Sequence, residues 1–302
     1  MSKKTVAIIV TYNRSMLLAR CIRYINNQTI TPDEIVVINN GSTDNTVTML
    51  NEMGIKTITQ KNLGSAGGWR RGLQYALDNN YHSAWLMDDD GYPDTRSLEF
   101  LKNSLNNGKS CVSSVVIQEN SSDRFVFPLP ILNKKQLPCL ISFPRKLRTL
   151  NDFKKRFKER DYPFAHLFNG ALISIDAVKK IGNIDNRYYI YGEEVDYFFR
   201  LRSVGKVISI TDAFHYHPDV TKRGYSKVKI YYAIKNSIIL NKNYFDNKLL
   251  RNIASILVVL LRVAKRNGLK SFLSLIMGAN KKTFYLAIIR GLKGNIGMDH
   301  ES

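Results

Sequence analysis

Three consecutive carboxylates, Asp88, Asp89 and Asp90, stand directly after an apolar run in the stretch WLMDDDGYPD. Adjacent like charges repel, so a cation or several hydrogen-bond donors must hold them together. Two carboxylates, one imidazole and phosphate oxygens would form an octahedral ligand set for magnesium or manganese, and an imidazole favours manganese. The downstream stretch FHYHP supplies two histidines. The simpler alternatives are an aspartate-rich turn whose Asp94 caps a helix, and a histidine that only packs.

A second stretch, NLGSAGGWRRGL, starts with small residues and continues as a helix. The backbone amides near Gly67 and Gly68 would approach a phosphate there, while Arg70 or Arg71 supplies positive charge. The stretch lacks the G-K-[ST] of a P-loop, and no G-x-G-x-x-G opens the first helix. Because glycine-rich helix starts are common, this stretch alone does not identify a phosphate site.

The elements that must position these residues alternate between strand and helix from residue 4 to about 120. Strands are predicted at TVAIIVTY, DEIVVINN, KTITQ and SAWLMDDD, and helices over Ser15–Asn27, after GSTDNT and over Gly67–Asn80. Short apolar strands separated by helices predict βαβ units and a parallel sheet, hence an α/β fold. Ligands bind such sheets at the carboxyl ends of the strands, and the polar stretches TYNR, NNGSTD and DDDGYPD stand there.

Residues 120–163 interrupt this alternation, because they hold five of the eight prolines and the basic run KKRFKER. We expect an irregular excursion over the body, as a lid would form. Regular signals resume with a strand at FNGALISID, a helix at YGEEVDYFFRLRSVG, a strand at KVISI and a loop at TDAFHYHPD. The predicted domains are a catalytic domain over residues 1–220 and a helical C-terminal region over residues 221–302.

The formal charge of +20 suggests an anionic partner, and residues 221–302 supply 13 of these charges, with 16 Lys and Arg against three acidic residues. The charge-free runs in this region, Asn252 to Leu261 among them, have at most ten residues and cannot span a bilayer. Basic amphipathic helices on an anionic membrane are one interpretation. Helices that pack on the catalytic body or on a second copy of the chain are the other.

The cysteines Cys21, Cys111 and Cys139 are odd in number and lack C-x-x-C spacing, which argues against a disulfide framework and a zinc knuckle. The N-terminal stretch MSKKTVAIIVTYNR has no small-residue cleavage site after its apolar run. We therefore expect a cytosolic protein that begins with a strand.

Taken together, these stretches resemble the inverting nucleotide-sugar glycosyltransferases of family 2. The resemblance rests on IIVTYNR, VVINNGSTDNT, NLGSAGG, MDDDGYP and GEEVDYFFRL, in the family's order over about residues 4–220. It implies a GT-A fold, which is a Rossmann-like mixed, mostly parallel sheet flanked by helices, here with a C-terminal helical extension. The set of motifs is specific to the family, whereas each motif alone is not.

The resemblance also implies a donor site. The first-strand motif falls on Thr11, Tyr12 and Arg14, which would border the base and the phosphates. The position that reads uracil falls on Asn39 or Asn40, where the family usually has aspartate. An amide still accepts from the uracil N3–H and donates to O4.

The metal positions of the family fall on Asp88 and Asp90, with Asp89 beside them facing the sugar or the ribose. The distal histidine best matches His217, and His215 is the alternate. A magnesium or manganese ion is therefore the expected cofactor.

The family's catalytic base falls on Glu194, where aspartate is more common. Because the extra methylene moves the carboxylate by about 1.5 Å in a distance-sensitive reaction, Glu193 and Asp196 stay candidates. These acids would otherwise decorate a helix N-terminus, with Asp196 pairing with Arg200 one turn later.

The function that the resemblance implies is an inverting transfer of a sugar from a nucleotide-diphosphate donor, with UDP as the expected nucleotide. NLGSAGGW, the full DDD and the histidine-containing tail look most like galactofuranosyltransferases and related rhamnosyltransferases of bacterial surface polysaccharides. The acceptor would then be a polyprenyl-diphosphate-linked saccharide, and the enzyme would lie at the inner face of the cytoplasmic membrane.

Two other function classes are weighed against this one. A nucleotidyltransferase usually needs a glycine-rich first-strand loop, and TYNRSMLLAR has none. A nucleic-acid-binding protein would use the positive charge, but no basic stripe interleaved with aromatics is present and the acidic strand end would repel phosphate. We expect no nucleic-acid partner, and a homo-oligomer remains open.

Overall fold

The computed structural model describes residues 3–106, 108–220 and 224–300. The chain divides into two compact units. The first consists of Met1–Ile184 and Tyr197–Asp219, and the second of Asp185–Asp196 and Val220–Ser302. The second unit thus includes a short segment that precedes residue 220, while the predicted division into two domains stays a prediction.

The first part of the chain alternates strands and helices, as predicted. Its elements are β1 (Thr5–Thr11), α1 (Ser15–Asn26), β2 (Glu34–Asn39), α2 (Thr46–Glu52), β3 (Lys56–Thr59), α3 (Gly64–Asp78), β4 (Ser83–Asp88), β5 (Tyr92–Pro93) and α4 (Ser97–Ser104). Helix α3 begins three residues before the predicted start at Gly67. The carboxyl ends of β1, β2 and β4 lie where the sequence places them.

The middle of the chain is more regular than predicted. It forms β6 (Lys109–Gln118), β7 (Arg124–Pro130), β8 (Lys146–Thr149), α5 (Leu150–Arg156), β9 (Asp161–Tyr162), β10 (Asn169–Ser174), α6 (Ile175–Ile181), α7 (Glu193–Val204) and β11 (Lys206–His217). The excursion at 120–163 therefore contains an antiparallel β7–β8 pair and a helix that starts with a capping box between Thr149 and Asp152.

The predicted loop at TDAFHYHPD is wrong. Strand β11 continues through it to His217, and after a register shift it pairs with β6 from Phe214↔Val115 to His217↔Gln118. The alternation of buried and half-buried side chains over this stretch is the two-residue period of a strand. Two histidines in the strand obscure that period, because histidine is not counted as an apolar residue.

The strands join in the order β3-β2-β1-β4-β10-β6-β11-β5, in a mixed sheet whose longest ladders are parallel. Successive residues of β1 face opposite sides of the sheet. Ile8 and Val10 pack with Trp69 of α3 in one core, and Ile9 packs with Leu18 of α1 in the other. Helices therefore cover both faces, as the α/β expectation requires.

Glycines let α3 approach this sheet closely. A Cβ on Gly68 would lie 2.4 Å from Val10 Cγ1, and one on Gly72 would lie 2.4 Å from Ile8 Cγ2. Side-chain atoms are essentially never this close, so the backbone of α3 occupies space that a larger residue would need. The glycines of NLGSAGGWRRGL thus have a packing role.

The second unit is helical, which agrees with the predicted C-terminal extension. Its helices after residue 220 are α8 (Lys227–Tyr244), α9 (Lys248–Asn267), α10 (Leu269–Ile276) and α11 (Lys281–Lys293). Their core includes Tyr231, Tyr232, Val263 and Phe284. Among the described residues, no helix combines the length and the apolarity needed to cross a bilayer.

A buried lysine in α8 fixes the end of the described chain. Lys235 is fully buried, and its Nζ donates to Asp299 Oδ1 at 2.6 Å and to the Gly297 carbonyl at 2.7 Å. Arg290 of α11 lies 3.3 Å from the same carboxylate. Residues 297–299 are thereby held on the helical core.

Candidate active site

The carboxylates at the end of β4 are held by donors from the end of β1. Thr11 Oγ1 donates to Asp89 Oδ2 at 2.8 Å. Arg14 Nη1 donates to Asp89 Oδ1 at 2.9 Å and to Asp90 Oδ2 at 2.7 Å. Because β1 and β4 are parallel neighbours, their carboxyl ends meet, and Arg14 supplies the positive charge that the three aspartates require.

Burial and charge act in opposite directions on this cluster. Burial raises the pKa of Asp89, and the adjacent Arg14 guanidinium opposes that rise without cancelling it. Burial disfavours the charged form of Arg14, but Asp89 and Asp90 outweigh it, so the pKa of Arg14 is raised. The ion pair therefore keeps Arg14 charged beside a carboxylate that is easier to protonate than an ordinary aspartate.

The two candidate histidines occupy different environments. His217 Nε2 lies 3.0 Å from Asp90 Oδ1, and both side chains are buried. His215 is packed between glycines: a Cβ on Gly91 would lie 2.3 Å from its Nε2, and one on Gly170 would lie 3.1 Å from its Nδ1. Neither ring nitrogen of His215 has a hydrogen-bond partner among the described residues, and burial lowers its pKa to about 3.

The donor chemistry of this cluster fits a divalent ion. Two neighbouring ligands of an octahedral ion at about 2.1 Å lie about 3 Å apart. Asp90 Oδ1 and His217 Nε2 have this spacing, which is also that of the direct contact between them in this structure. No group of three His, Cys, Asp or Glu side chains with metal-binding spacing occurs within residues 3–106, 108–220 and 224–300. The pair thus offers one edge of a coordination sphere, and a diphosphate would have to supply further oxygens.

The loop after β1 is fixed against the loop after β2. Asn13 has a φ of 54° and its Oδ1 accepts from the backbone N–H of Thr43 at 2.7 Å. Asp44 Oδ2 accepts from the backbone N–H of Ser15 at 3.2 Å, at the start of α1. Tyr12 is 46% exposed in this loop. A rigid rim therefore borders the acidic cluster, with Tyr12 open to a ligand.

The asparagines at the end of β2 form hydrogen bonds within neighbouring loops. Asn39 Oδ1 accepts from the backbone N–H of Ser42 at 2.9 Å. Asn40 Nδ2 donates to the Gly64 carbonyl at 3.1 Å, and its Oδ1 accepts from Gln60 Nε2 at 2.7 Å. Both residues are buried at the strand end. Contact of either amide with a base stays a prediction, and it would require exchange or sharing of these bonds.

The predicted phosphate contacts of α3 lie in different surroundings. Gly67 and Gly68 are buried where the first turn of α3 meets the second, and they pack against Leu63 and Val10 respectively. Arg71 is exposed, whereas Arg70 Nη1 donates to the Ile184 carbonyl at 3.0 Å. The two predicted donor-binding glycines thus have a structural role in the packing of α3, and Arg71 remains the side chain available for an anion.

Arg20 of α1 and its ion-pair partner Glu119 lie beside the acidic cluster and were not predicted. Arg20 Nη2 donates to the Asp90 carbonyl at 2.8 Å and lies 2.8 Å from Glu119 Oε1. The Arg20 guanidinium also stacks over the Tyr92 ring at 4.6 Å. Arg14 precedes α1 and Arg20 lies in its second turn, six residues later, a separation that does not place the two on one helix face, so spacing along the chain did not indicate Arg20.

The acidic pair at the start of α7 belongs to the second unit. Glu193 and Asp196 are buried and Glu194 is half-buried. Asp196 Oδ1 accepts from the Tyr244 hydroxyl at 2.5 Å. The turn before these acids is strained, because Tyr189 and Tyr191 have φ values of 62° and 57°, which large L-residues rarely adopt.

An asparagine of α8 holds this turn. Asn236 Nδ2 lies 3.1 Å from the carbonyls of Tyr188 and Ile190 and 2.5 Å from that of Tyr191. Asn236 is 1% exposed. Strained backbone persists where surrounding contacts over-determine it, and such turns cluster at functional sites. The sequence gives no signal for Asn236, which lies more than 40 residues after the turn.

Comparisons with known proteins give a consistent result. The galactofuranosyltransferase GlfT1 of Mycolicibacterium smegmatis is 30% identical over 200 residues, which cover 65% of this chain and 64% of that protein. GlfT1 of Mycobacterium tuberculosis (strain ATCC 25618 / H37Rv) is 29% identical over 231 residues, 72% of this chain and 71% of that protein. The match thus spans less than two thirds of the M. smegmatis relative.

Solved structures share the GT-A fold at low sequence identity. S. aureus TarS has a TM-score of 0.57 at 13% identity, covering 96% of this chain and 49% of that chain. The mannosyltransferase PcManGT from Pyrobaculum calidifontis, solved with GDP-Man and Mn²⁺, has a TM-score of 0.55 at 15% identity, covering 96% and 86%. The family model "Glycosyl transferase family 2" matches residues 6–182, more than half of the 302 residues. The protein therefore belongs to glycosyl transferase family 2.

Proposed function

We propose that the protein is an inverting glycosyltransferase that moves galactofuranose from a UDP-linked donor to a polyprenyl-diphosphate-linked saccharide during bacterial surface polysaccharide synthesis. The observation that carries the proposal is the cluster of three buried side chains, Asp89, Asp90 and His217, with the partly exposed Arg14 at the carboxyl ends of the central strands. Such a cluster suits a nucleoside diphosphate, whose phosphates need cations and whose metal needs carboxylates.

The choice of sugar and nucleotide rests on the relatives. Two proteins about 30% identical to this chain are named galactofuranosyltransferases. A solved TarS fragment with the same fold, at a TM-score of 0.51 and 13% identity, is in complex with UDP. These names favour a UDP donor and a galactofuranosyl group over a rhamnosyl or other hexosyl group.

A divalent ion would be held by Asp90 and His217, with Asp88 adjoining them at the end of β4. When bound, magnesium or manganese would offset the charge that grows on the departing diphosphate. Arg14 donates to Asp89 and Asp90 and offsets part of their negative charge. The Asp89 carboxylate, fixed by Thr11, would then orient the ribose or the sugar.

Protein side chains would stabilise the leaving group and remove the proton of the acceptor. Arg71 of α3 would stabilise the negative charge of the leaving nucleoside diphosphate. Glu194 would remove the proton of the acceptor hydroxyl, whose oxygen attacks the anomeric carbon on the face opposite the leaving group. One base and one displacement give inversion, and general-base help contributes about 10²- to 10⁴-fold. Glu193 and Asp196 are the alternates for this role.

The helices of the second unit would bind an anionic membrane surface. On α9, Leu250, Ile253, Leu257 and Leu261 are exposed at helical spacing. Residues 247–298 contain ten Lys and Arg and no acidic residue. An apolar face with basic flanks suits an interfacial helix, and it would place the enzyme peripherally at the inner face of the cytoplasmic membrane. A second copy of the chain is the other partner that this face would suit.

The test of the reaction is a donor panel. We expect UDP-galactofuranose, but not UDP-galactopyranose, dTDP-rhamnose or GDP-mannose, to release its nucleoside diphosphate, and we expect EDTA to stop release and manganese to restore it. Asp90→Asn should lower release by about 10²-fold or more, while the exposed Asp78→Asn should match the wild type. Undiminished activity of Asp90→Asn in EDTA would refute the metal site. Release from another donor alone would reassign the sugar.

The membrane contact has a separate test. Leu257→Ser with Leu261→Ser should weaken binding of the full chain to anionic vesicles, while donor hydrolysis in solution continues. If vesicle binding is unchanged and the variant instead loses a dimer in sedimentation, the exposed face of α9 belongs to an interface between copies.

A further inference from the structure

A second basic surface lies in the first unit, far along the chain from the C-terminal helices. Residues 131–160 hold ten Lys and Arg and only two acidic residues, Asp152 and Glu159. This segment belongs to the excursion between β6 and β10. Neither the proposed donor site nor the proposed chemistry uses these charges, so they require another explanation.

The loop within this segment is anchored at both ends. β7 and β8 pair at Leu129↔Leu147, and both leucines are buried in one apolar cluster. The backbone N–H of Ile131 donates to the Arg145 carbonyl at 3.0 Å, and that of Cys139 donates to the Ile131 carbonyl at 2.8 Å. These hydrogen bonds therefore fix both ends of the loop on the β7–β8 pair.

Two large apolar side chains project from this anchored loop. Ile141 is 95% exposed and Phe143 is 100% exposed. Other aromatic residues of the segment, Phe153 and Phe157, pack instead in the apolar cluster below. Water disfavours an exposed phenylalanine, and an exposed apolar tip rimmed by polar residues is typical of an interaction surface.

A cationic cleft adjoins the apolar tip. Its volume is about 290 Å³ and it is lined by Pro144, Lys146, Arg148, Asp152, Lys155 and Arg156. The one carboxylate among them accepts hydrogen bonds at Oδ2 from the backbone N–H groups of Arg148 and Thr149, at 3.1 and 3.2 Å. Four cations against one engaged carboxylate give the cleft a formal charge of +3, which suits a phosphate group.

We propose that this surface, formed by Ile141, Phe143 and the cleft beside Pro144, docks the first unit on an anionic phospholipid membrane. Ile141 and Phe143 enter the boundary between headgroups and acyl chains, and the four cations bind lipid phosphates. Apolar insertion combined with basic attraction is the pairing that membrane-surface segments use. Ile141 favours a membrane over a nucleic acid, because an exposed aliphatic side chain has no ring on which a base stacks, whereas the boundary between headgroups and acyl chains suits both Ile141 and Phe143.

The proposed membrane surface is connected to the candidate active site through β6 and β7. The excursion starts where β6 ends, and Gln118 at that end is the register partner of His217. The Phe127 ring of β7 lies 5.4 Å from the His217 ring. The excursion that carries the tip therefore also carries Phe127 beside His217, so a membrane contact at the tip is linked to the candidate site through β7; its value for a lipid-linked acceptor rests on the proposed function.

The test places a fluorescent reporter at the tip of the full chain. Phe143→Trp adds an exposed indole, whereas the native Trp69 and Trp85 are 1% and 0% exposed and are shielded from lipid. We expect vesicles of phosphatidylcholine with phosphatidylglycerol to shift the added emission to the blue, and brominated acyl chains to quench it. Phosphatidylcholine alone should do neither, and high salt should weaken the response.

A matched pair of charge reversals tests the cleft. Arg148→Glu with Lys155→Glu should weaken binding of the full chain to the anionic vesicles by about 10-fold or more. Lys179→Glu with Lys180→Glu changes the net charge equally at an exposed helix of the same unit and should change binding less than about twofold. Both variants should fold, because all four side chains are exposed.

Three outcomes would overturn the inference. If the chain binds anionic vesicles while the Phe143→Trp emission stays unchanged, the tip does not reach the membrane and another surface binds it. If inorganic phosphate alone displaces the response at equal concentration of phosphate groups, the cleft is a site for free phosphate. If an RNA oligonucleotide perturbs the reporter and vesicles do not, the cations serve nucleic acid. Donor hydrolysis is measured separately, so none of these outcomes touches the proposed reaction.

Discussion

The two compact units differ in how completely they bury their apolar residues. Every residue of β1 in the first unit is buried, because helices cover both faces of the sheet. In the second unit, α9 buries Val259 and Val263 on one face and leaves Leu257 and Leu261 exposed on another. An apolar run is therefore buried throughout where helices cover both faces of the sheet, whereas in α9 part of the same kind of run stays exposed.

The candidate metal ligands and the candidate base belong to different units. The carboxylates that suit a metal and a diphosphate end a strand of the first unit, while Glu193, Glu194 and Asp196 belong to the second. The turn before these acids is held by Asn236 of α8. The helices of the C-terminal region thus support the segment that carries the proposed base, in addition to presenting an apolar face.

The largest expected effect is a loss of turnover, which tests whether an acid of the second unit is the catalytic base. Glu194→Gln keeps the side-chain size and removes its basicity, so turnover should fall by about 10²-fold or more while donor binding persists. Steady-state kinetics and a donor-binding titration measure the two quantities. If Glu194→Gln is near wild type while Glu193→Gln or Asp196→Asn is inactive, the base is that residue.

A second prediction compares packing in the two units. Gly72→Ala should lower the free energy of unfolding by about 1–3 kcal/mol, because its Cβ would lie 2.4 Å from Ile8 Cγ2 in a fully packed core. Leu257→Ser, on the exposed face of α9, should change it by less than about 0.5 kcal/mol. Urea denaturation measures both. Gly224→Ala is the control, since among the described residues, its chain neighbours aside, no atom lies within 4 Å of its Cβ position. A large loss from Leu257→Ser would mean that the exposed face is covered in solution.

A third prediction concerns the support of the acidic turn. Asn236→Ala leaves the carbonyls of the strained turn without their donor, so kcat should fall by about 10-fold while the donor KM changes little. Asn241→Ala is the matched control on the same helix, because Asn241 donates to Asn252 and Ser255. Equal losses of kcat in the two variants would reduce the role of Asn236 to general stability.

The smallest expected effect lies in the rim beside the acidic cluster. Hydrogen bonds from Thr46 and Ser15 hold the pKa of Asp44 below its usual range. The unfolded chain therefore binds this proton more readily, and the stabilisation is present above about pH 4 and is lost as the pH falls through the lower folded pKa. Asp44→Asn should have a slightly lower urea midpoint than the wild type at pH 7 and an equal one at pH 2. A difference that persists at pH 2 would assign the effect to lost geometry, not to charge.

The sequence predicts the alternation of strands and helices and the strand ends well, because short apolar runs and polar turns are local signals. Its prediction is wrong or incomplete where the same residue type occurs in two kinds of structure. The histidines of β11 suggest a loop although their alternate positions are buried. The phosphate contact of Gly67 and Gly68 stays a prediction, and Gly68 also lets α3 approach Val10.

The contacts that complete the site are not local. Arg14 and Asp90 are 76 residues apart, and Asn236 contacts carbonyls 45 to 48 residues earlier. Spacing along the chain gives no distance between such residues until the topology is known. The candidate residues could therefore be named by resemblance, whereas Arg20 and Asn236 required the three-dimensional arrangement.

The pairing of Lys235 with Asp299 has a consequence for synthesis on the ribosome. Lys235 belongs to the centre of a helical core, yet its counter-ion lies 64 residues later. At about 5–20 residues per second, the lysine emerges about 3–13 s before that carboxylate. During this interval the charged lysine lacks its counter-ion, so burial of Lys235 in the helical core is favoured only after Asp299 has been synthesised.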